Sequence, residues 1–272
     1  MLSMIAVKNV SKSYGKKQVL SAVSLRIDPG SCFGIIGESG SGKTTLMRLL
    51  IRAEDPTDGA VEVDGVNIRT VPAPILQLYR RRVGIVFQEP ILLEHTTVEE
   101  NIALPLELLG APNALISRNT TDLMKRLNLS AKAKLLPEDL SVSERSLVCI
   151  ARAIITAPVV IIADDPVHNL DNAQKEIVRE LFTNMHKKGT TVILFSRNTD
   201  FAHSMHAQII ELKDGKMGNQ HAPEKTKGKT PEAHKLLEEE QEIVLPTSAD
   251  EPKTPPPESG GKKIRITSIG SN

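Results

Sequence analysis

Gly37-Glu38-Ser39-Gly40-Ser41-Gly42-Lys43-Thr44 is the stretch that decides how this chain folds. It fits the pattern G-x-x-x-x-G-K-[ST] at every fixed position, and Thr45 follows it. Upstream, Cys32-Phe33-Gly34-Ile35-Ile36 is a short apolar run that reads as a buried strand. Downstream, Leu46, Leu49 and Leu50 fall at helical spacing, so the loop joins a strand to a helix. Glycines at 37, 40 and 42 let the backbone curl until successive N–H groups point inward, and the helix N-terminus adds the positive end of its dipole. Lys43 is then expected to reach the β- and γ-phosphates of a nucleoside triphosphate, and the Thr44 hydroxyl to ligate Mg²⁺.

At 272 residues the chain has room for one large domain or two small ones. Its 34 basic and 33 acidic residues leave a formal charge of +1, and no basic stripe with interleaved aromatics points to nucleic acid. The two cysteines, Cys32 and Cys149, lie in apolar stretches, which suggests a reducing compartment without a disulfide framework. No apolar run approaches the ~20 residues that a membrane helix needs. The N-terminus, Met1-Leu2-Ser3-Met4-Ile5, lacks the pattern of a signal peptide. These features predict a cytoplasmic protein that reaches a membrane only through a partner.

Residues 4–10 and 18–27 alternate apolar and polar side chains, as antiparallel strands split by a turn at Ser13-Tyr14-Gly15-Lys16. Tyr14, in that turn, is placed to stack on an adenine ring. Asp58-Gly59 and Asp64-Gly65 bracket Val61-Glu62-Val63 as a strand and hairpin, and Leu76 to Arg82 reads as a short helix. Val83-Gly84-Ile85-Val86-Phe87 reads as a buried strand delivering Gln88 at its C-terminal end, where it could orient water or bind Mg²⁺. From Thr97 to Ser130 the pattern is helical, with Leu104, Leu108, Leu109, Leu115, Leu123, Leu127 and Leu129 as its apolar positions. Ser141 to Ala157 is a further helix with Ser141 as N-cap. Val159 to Ala163 is a fully apolar strand ending in Asp164-Asp165. Such an acidic pair costs solvation free energy unless it binds something, and Mg²⁺ held together with Thr44 is the simplest partner. A helix from Ala173 to Lys188, a strand Thr190 to Phe195 ending in Ser196-Arg197, and a last strand Ala207 to Leu212 complete the pattern. The remaining 54 residues (219–272) hold 7 of the 17 prolines and no aromatic residue. There Glu232 to Leu245 could form a helix, 246–261 reads as disordered, and 262–269 alternates like a strand.

In this order the motifs resemble the ATP-binding cassette (ABC) ATPase family over residues 2–218. Tyr14 matches the adenine-stacking aromatic, residues 37–44 the Walker A loop, Gln88 the Q-loop, Asp164 the Walker B aspartate, and Asn169-Leu170-Asp171 the D-loop. The resemblance implies an α/β P-loop NTPase fold with a RecA-like core, an antiparallel β-subdomain and an inserted helical subdomain at about 91–157; the 219–272 extension lies beyond it and reads from its composition as a flexible tail. It also implies Mg²⁺-ATP, and a head-to-tail dimer (homodimer or pseudo-dimer) closing on two nucleotides and moving an integral membrane partner. Residues 81–88 and 101–106 look most like the cell-division type, FtsE, whose partner is FtsX at the inner face of the membrane. The lipoprotein-release (LolD) and MacB exporter types come next.

Three positions depart from the family. The signature reads Leu140-Ser141-Val142-Ser143-Glu144, with Ser141 kept and both glycines replaced, so Val142 adds β-branched bulk where the opposing ATP should lie closest. Ser143 keeps its N–H and offers a hydroxyl. The catalytic glutamate is Asp165, one methylene shorter, and the switch histidine is Arg197, bulkier and always charged. Together they imply nucleotide binding with slowed hydrolysis, or else a substitute Asp165–Arg197 pair that sustains turnover. A nucleotide-gated scaffold is the other class of function compatible with these changes. A soluble cassette acting on DNA or ribosomes is disfavoured, since those usually carry two cassettes or long insertions.

Overall fold

Alternating side chains at the start of the chain build an antiparallel hairpin. In the computed structural model, which describes residues 4–218, β1 (Ile5–Tyr14) pairs with β2 (Lys17–Ile27), with Ile5 opposite Ile27. Ile5, Val7 and Val10 turn inward with Leu20, Val23, Leu25 and Ile27. Across this hairpin lie β4 (Asp58–Val63) and β5 (Val66–Asn67), giving the order β2-β1-β4-β5. Asp58-Gly59, expected as a turn, lies inside β4, opposite a register shift in β1 between Lys8 and Ser11.

The apolar runs form a second sheet: β3 (Cys32–Ile36), β6 (Val83–Val86), β7 (Val160–Asp164), β8 (Thr191–Ser196), β9 (Gln208–Lys213) and β10 (Lys216–Met217). Their order is β10-β9-β3-β8-β7-β6, parallel except for β10. These strands read as continuous rather than alternating because helices cover both faces of the sheet. On one face α1 (Lys43–Leu50) packs Leu46, Met47, Leu49 and Leu50 against Phe33, Ile35, Ile193 and Phe195. On the other, α5 (Val142–Ile154) and α6 (Asn172–Lys187) bury Ile150, Val178 and Phe182 against Ile161 and Val192. Two short helices, α2 (Ala73–Arg81) and α7 (Asp200–Ser204), lead into β6 and β9.

Between β6 and β7 the chain forms α3 (Val98–Leu108) and α4 (Asn113–Arg126). A Thr97/Glu100 capping box starts α3. Buried Asn101 ties the preceding turn to the helix: its amide donates to the Leu93 and Thr96 carbonyls, and its Oδ1 accepts the Leu93 N–H at 2.9 Å. The apolar face matches the expected one at Leu123, Leu127 and Leu129 and departs from it earlier in the segment. Val98, Ile102, Leu106, Leu123, Met124, Leu127 and Leu129 are buried, whereas Leu108 is 62% exposed, with Leu109 and Leu115 also exposed. Phe87 likewise falls outside β6, which ends at Val86, and is exposed. Helix α5 ends at Ile154, short of the expected Ala157, which adopts a positive φ of 49° beyond the helix. The helix, disordered run and strand expected in 219–272 lie outside the described residues.

Candidate nucleotide site

The parallel strands all point their C-terminal ends at one place, and four of them deliver polar residues there. The phosphate loop follows β3, Gln88 follows β6, Asp164 and Asp165 close β7, and Ser196 and Arg197 close β8. Lys43, Thr44, Gln88, Asp164, Asp165 and Arg197 line a common cavity of about 490 Å³ with Ser39, Gly40, Gly42 and Thr45. Ligand sites outside the carboxyl ends of parallel strands are the rule for such sheets.

The loop wraps its own lysine. Lys43 is buried and its ammonium donates to the carbonyls of Gly37 at 2.7 Å and Glu38 at 2.9 Å. Burial lowers its pKa, opposed in part by Asp165 and Asp164 across the cavity, with Arg197 adding to the fall. Gly37 admits no side chain, since a Cβ there would meet the Leu212 carbonyl at 2.2 Å and Ser41 Oγ at 2.6 Å. From outside, the turn after β9 donates the Gly215 N–H to the Ser41 carbonyl at 3.2 Å. Ser41 Oγ is buried without a hydrogen-bond partner among the described residues, packed against Gly37 and outside the residues that line the cavity.

Thr44 Oγ1 donates to Asp164 Oδ2 at 2.7 Å. Asp164 is only 2% exposed. Burial pushes its carboxyl above the ordinary range, opposed by the Thr44 hydrogen bond, with Asp165 adding to the rise and Lys43 reducing it. A hydroxyl and a buried carboxylate side by side form the hard-oxygen donor set that suits Mg²⁺. Gln88, exposed two residues beyond β6, lines the same cavity.

Asp165 adopts φ 43°, a left-handed conformation unusual for a residue with a side chain, and its N–H donates to the Phe195 carbonyl at 2.7 Å. Its Oδ1 accepts from Ser196 Oγ at 2.6 Å and from the Arg197 N–H at 3.3 Å, and Arg197 Nε lies 3.5 Å from Oδ2. The expected Asp165–Arg197 contact therefore exists, with Ser196 as a third member. The sequence alone assigns Ser196 no role. Its only signal is a hydroxyl at the end of an apolar strand parallel to the acidic one.

The remaining expected residues lie apart. Tyr14 ends β1 outside the residues lining the cavity; its hydroxyl donates to Glu54, and the Lys12 ammonium lies 5.1 Å from its ring centroid. One ring face thus has a cation over it. Ser141 caps α5 in a capping box: it accepts the Glu144 N–H at 3.3 Å, and its own N–H donates to Glu144 Oε2 at 2.9 Å. Ser143 Oγ lies 3.2 Å from Ser141 Oγ, and Val142 is 57% exposed. None of Ser141, Val142 and Ser143 lines the cavity, so one chain does not bring the signature to its own phosphate loop. The D-loop is pinned to the signature helix by Asn169 Nδ2, which donates to Ser146 Oγ at 3.2 Å. Both cysteines are buried with free thiols, and burial pushes Cys32 up to about 12.

Comparison with known proteins agrees with this geometry. The family model described as "ABC transporter" matches residues 20–168. A cell-division ATP-binding protein FtsE of Mycobacterium tuberculosis is 35% identical over 216 residues, covering 79% of this chain and 94% of the relative. A methionine import ATP-binding protein MetN of Caulobacter vibrioides is 34% identical over 270 residues, 98% of this chain and 79% of the relative. Among solved structures, a dimeric post-hydrolysis state of the ATP-binding cassette MJ0796 bound to ADP and Pi superposes with a TM-score of 0.76. It is 30% identical and covers 81% of this chain and 99% of that one.

Proposed function

Because this chain belongs to the ABC transporter family of ATPases, we propose that it is the Mg²⁺-ATP-driven subunit of a membrane complex of the FtsX type, hydrolysing slowly. The observation that carries the reading is the cluster at the strand ends: an intact Lys43 loop, Thr44 on Asp164, and Asp165 held against Arg197. ATP would place its β- and γ-phosphates on the loop N–H groups and Lys43, with Tyr14 offering its free ring face to the base. Mg²⁺ would sit with Thr44, Asp164 and Gln88, supplying charge neutralisation at the phosphates. Asp165 is the base candidate and Arg197 the γ-phosphate partner. Slow hydrolysis follows from the short Asp165 side chain, whose Oδ2 faces the Arg197 guanidinium at 3.5 Å. It follows too from the exposed Val142 in the signature.

Two features support a membrane-coupled dimer. Ser141 and Ser143 need a second cassette to meet a nucleotide. A groove of about 280 Å³ along the edge strand β6, with Leu104, Pro105, Leu108 and Leu109 beside Arg80 and Arg81, gives an apolar seat with a basic rim for a partner helix. No helix among the described residues is long and apolar enough to cross a membrane. A MetN-like import role is the second reading, favoured by the alignment that spans 98% of this chain. Identifying the permease that co-purifies from solubilised membranes separates the two.

Turnover of Mg²⁺-ATP, in steady state and single turnover, tests the core of the proposal. Hydrolysis should vanish with Lys43→Ala and rise about tenfold or more with Asp165→Glu, since general-base efficiency depends on reach. An Asp165→Glu protein no faster than the parent would refute slowed hydrolysis at this residue.

A further inference from the structure

The donors on Asp165 differ in how they are anchored. Ser196 Oγ and the Arg197 amide both reach Oδ1, at 2.6 and 3.3 Å, and both are fixed to the end of β8, beside the buried Phe195. The Arg197 guanidinium faces Oδ2 at 3.5 Å from a side chain that is 47% exposed. A γ-phosphate on the loop is a stronger partner for that guanidinium than a carboxylate already holding two hydrogen bonds, because phosphate accepts bidentate, charge-assisted bonds. When Arg197 turns to it, Asp165 is left in its left-handed backbone conformation with Oδ1 as the only held oxygen.

We propose that Ser196 is the positioning residue for hydrolysis: its hydroxyl, with the Arg197 amide, holds Asp165 by Oδ1, so that Oδ2 faces the attacking water once Arg197 has moved. The chemistry balances on the chain's own groups and water. Water oxygen bonds to the γ-phosphorus, the bond from that phosphorus to the β–γ bridging oxygen breaks, ADP leaves with the electron pair, and the water proton passes to Oδ2. Ser196 itself touches neither water nor phosphate. Its hydroxyl keeps the carboxylate from rotating, and a misplaced base can lose on the order of 100-fold in rate. The inference rests on Asp165 being the base.

The test compares Ser196→Thr with Ser196→Val, two β-branched side chains of one shape that differ in the hydroxyl, each in the parent and in an Asp165→Asn background. Single-turnover hydrolysis at saturating Mg²⁺-ATP and an ATP-binding titration are read on the full chain. The Val variant should fall about tenfold below the Thr variant in rate, with ATP affinity equal within about twofold. In the Asp165→Asn background the Thr–Val difference should shrink to less than about twofold, because nothing remains to be positioned. Equal rates for Thr and Val in the parent background, or a tenfold gap that persists without the Asp165 carboxylate, would overturn the proposal. An Asp165→Asn protein as fast as the parent would instead remove Asp165 as the base, and the role of Ser196 with it.

Discussion

Exchanging Asp164 for Asn removes a charge that the nucleotide-free chain buries at a cost. The carboxylate is 2% exposed and accepts from Thr44 Oγ1 at 2.7 Å. Burial raises its pKa, the Thr44 hydrogen bond opposes this, and Asp165 beside it adds to the rise. The folded chain therefore holds this proton more tightly than the unfolded chain. Above the range of a free carboxyl the unfolded state binds fewer protons, so the stability present at low pH is lost as pH rises through the folded value. Asn keeps the size and the acceptor for Thr44 but cannot ionise. Removing an incompletely compensated buried charge is worth about 1–3 kcal/mol. At about 2–4 °C per kcal/mol for a folded unit of this size, Asp164→Asn should raise Tm by about 2–12 °C near neutral pH in chelator. The gain should shrink as pH falls below about 4, where the parent carboxyl becomes protonated in both states. Thermal melts followed by circular dichroism in EDTA without nucleotide read the effect. Repeating them with Mg²⁺-ATP should stabilise the parent, by about 2.7 kcal/mol at a hundredfold excess over Kd, and the variant far less. A variant that melts below the parent at neutral pH in chelator would refute the reasoning.

Two further substitutions probe other parts of the fold. Val142→Gly removes an exposed side chain at the first position of α5. It should cost at most about 1 kcal/mol of stability and raise turnover at saturating ATP, and an unchanged rate would mean that Val142 does not limit closure. Gly84→Ala places a Cβ 2.3 Å from the Ala153 carbonyl and 2.9 Å from Pro158 Cγ, where β6 presses on the end of α5. Urea unfolding should show a loss of about 1–3 kcal/mol, and parental stability would mean that this contact relaxes freely.

How much of this was legible in the sequence varied with how local the cause was. The loop at 37–44 and the runs at 160–163 and 192–195 declared themselves, because a strand buried on both faces has nowhere to place polar side chains. Ser141 as N-cap was equally readable, since capping depends on residues only three apart. Leu108, Leu109 and Leu115 are exposed against expectation, because helical spacing reveals that a face exists but not which side the rest of the chain covers. The Asp165–Ser196 contact joins residues 31 apart through the pairing of β7 with β8, and no local pattern encodes it. The same holds for Gly215, which supports the phosphate loop from the far end of the described chain.

The position of β3 in the sheet has a consequence for synthesis. Cys32 pairs with Val192 on one side and Phe33 with Gln208 on the other, so the strand leading into the phosphate loop borders two strands made roughly 160 or more residues later. At 5–20 residues per second, the ribosome leaves β3 without either neighbour for about 8–32 s. During that interval Phe33, Ile35 and Ile36 present an uncovered, β-prone edge, and the loop that grips the nucleotide has no strand to hang from. Nucleotide binding is therefore a late event in the life of each new chain, and a nascent chain halted before β8 would expose β3 to aggregation while unable to be rescued by ATP.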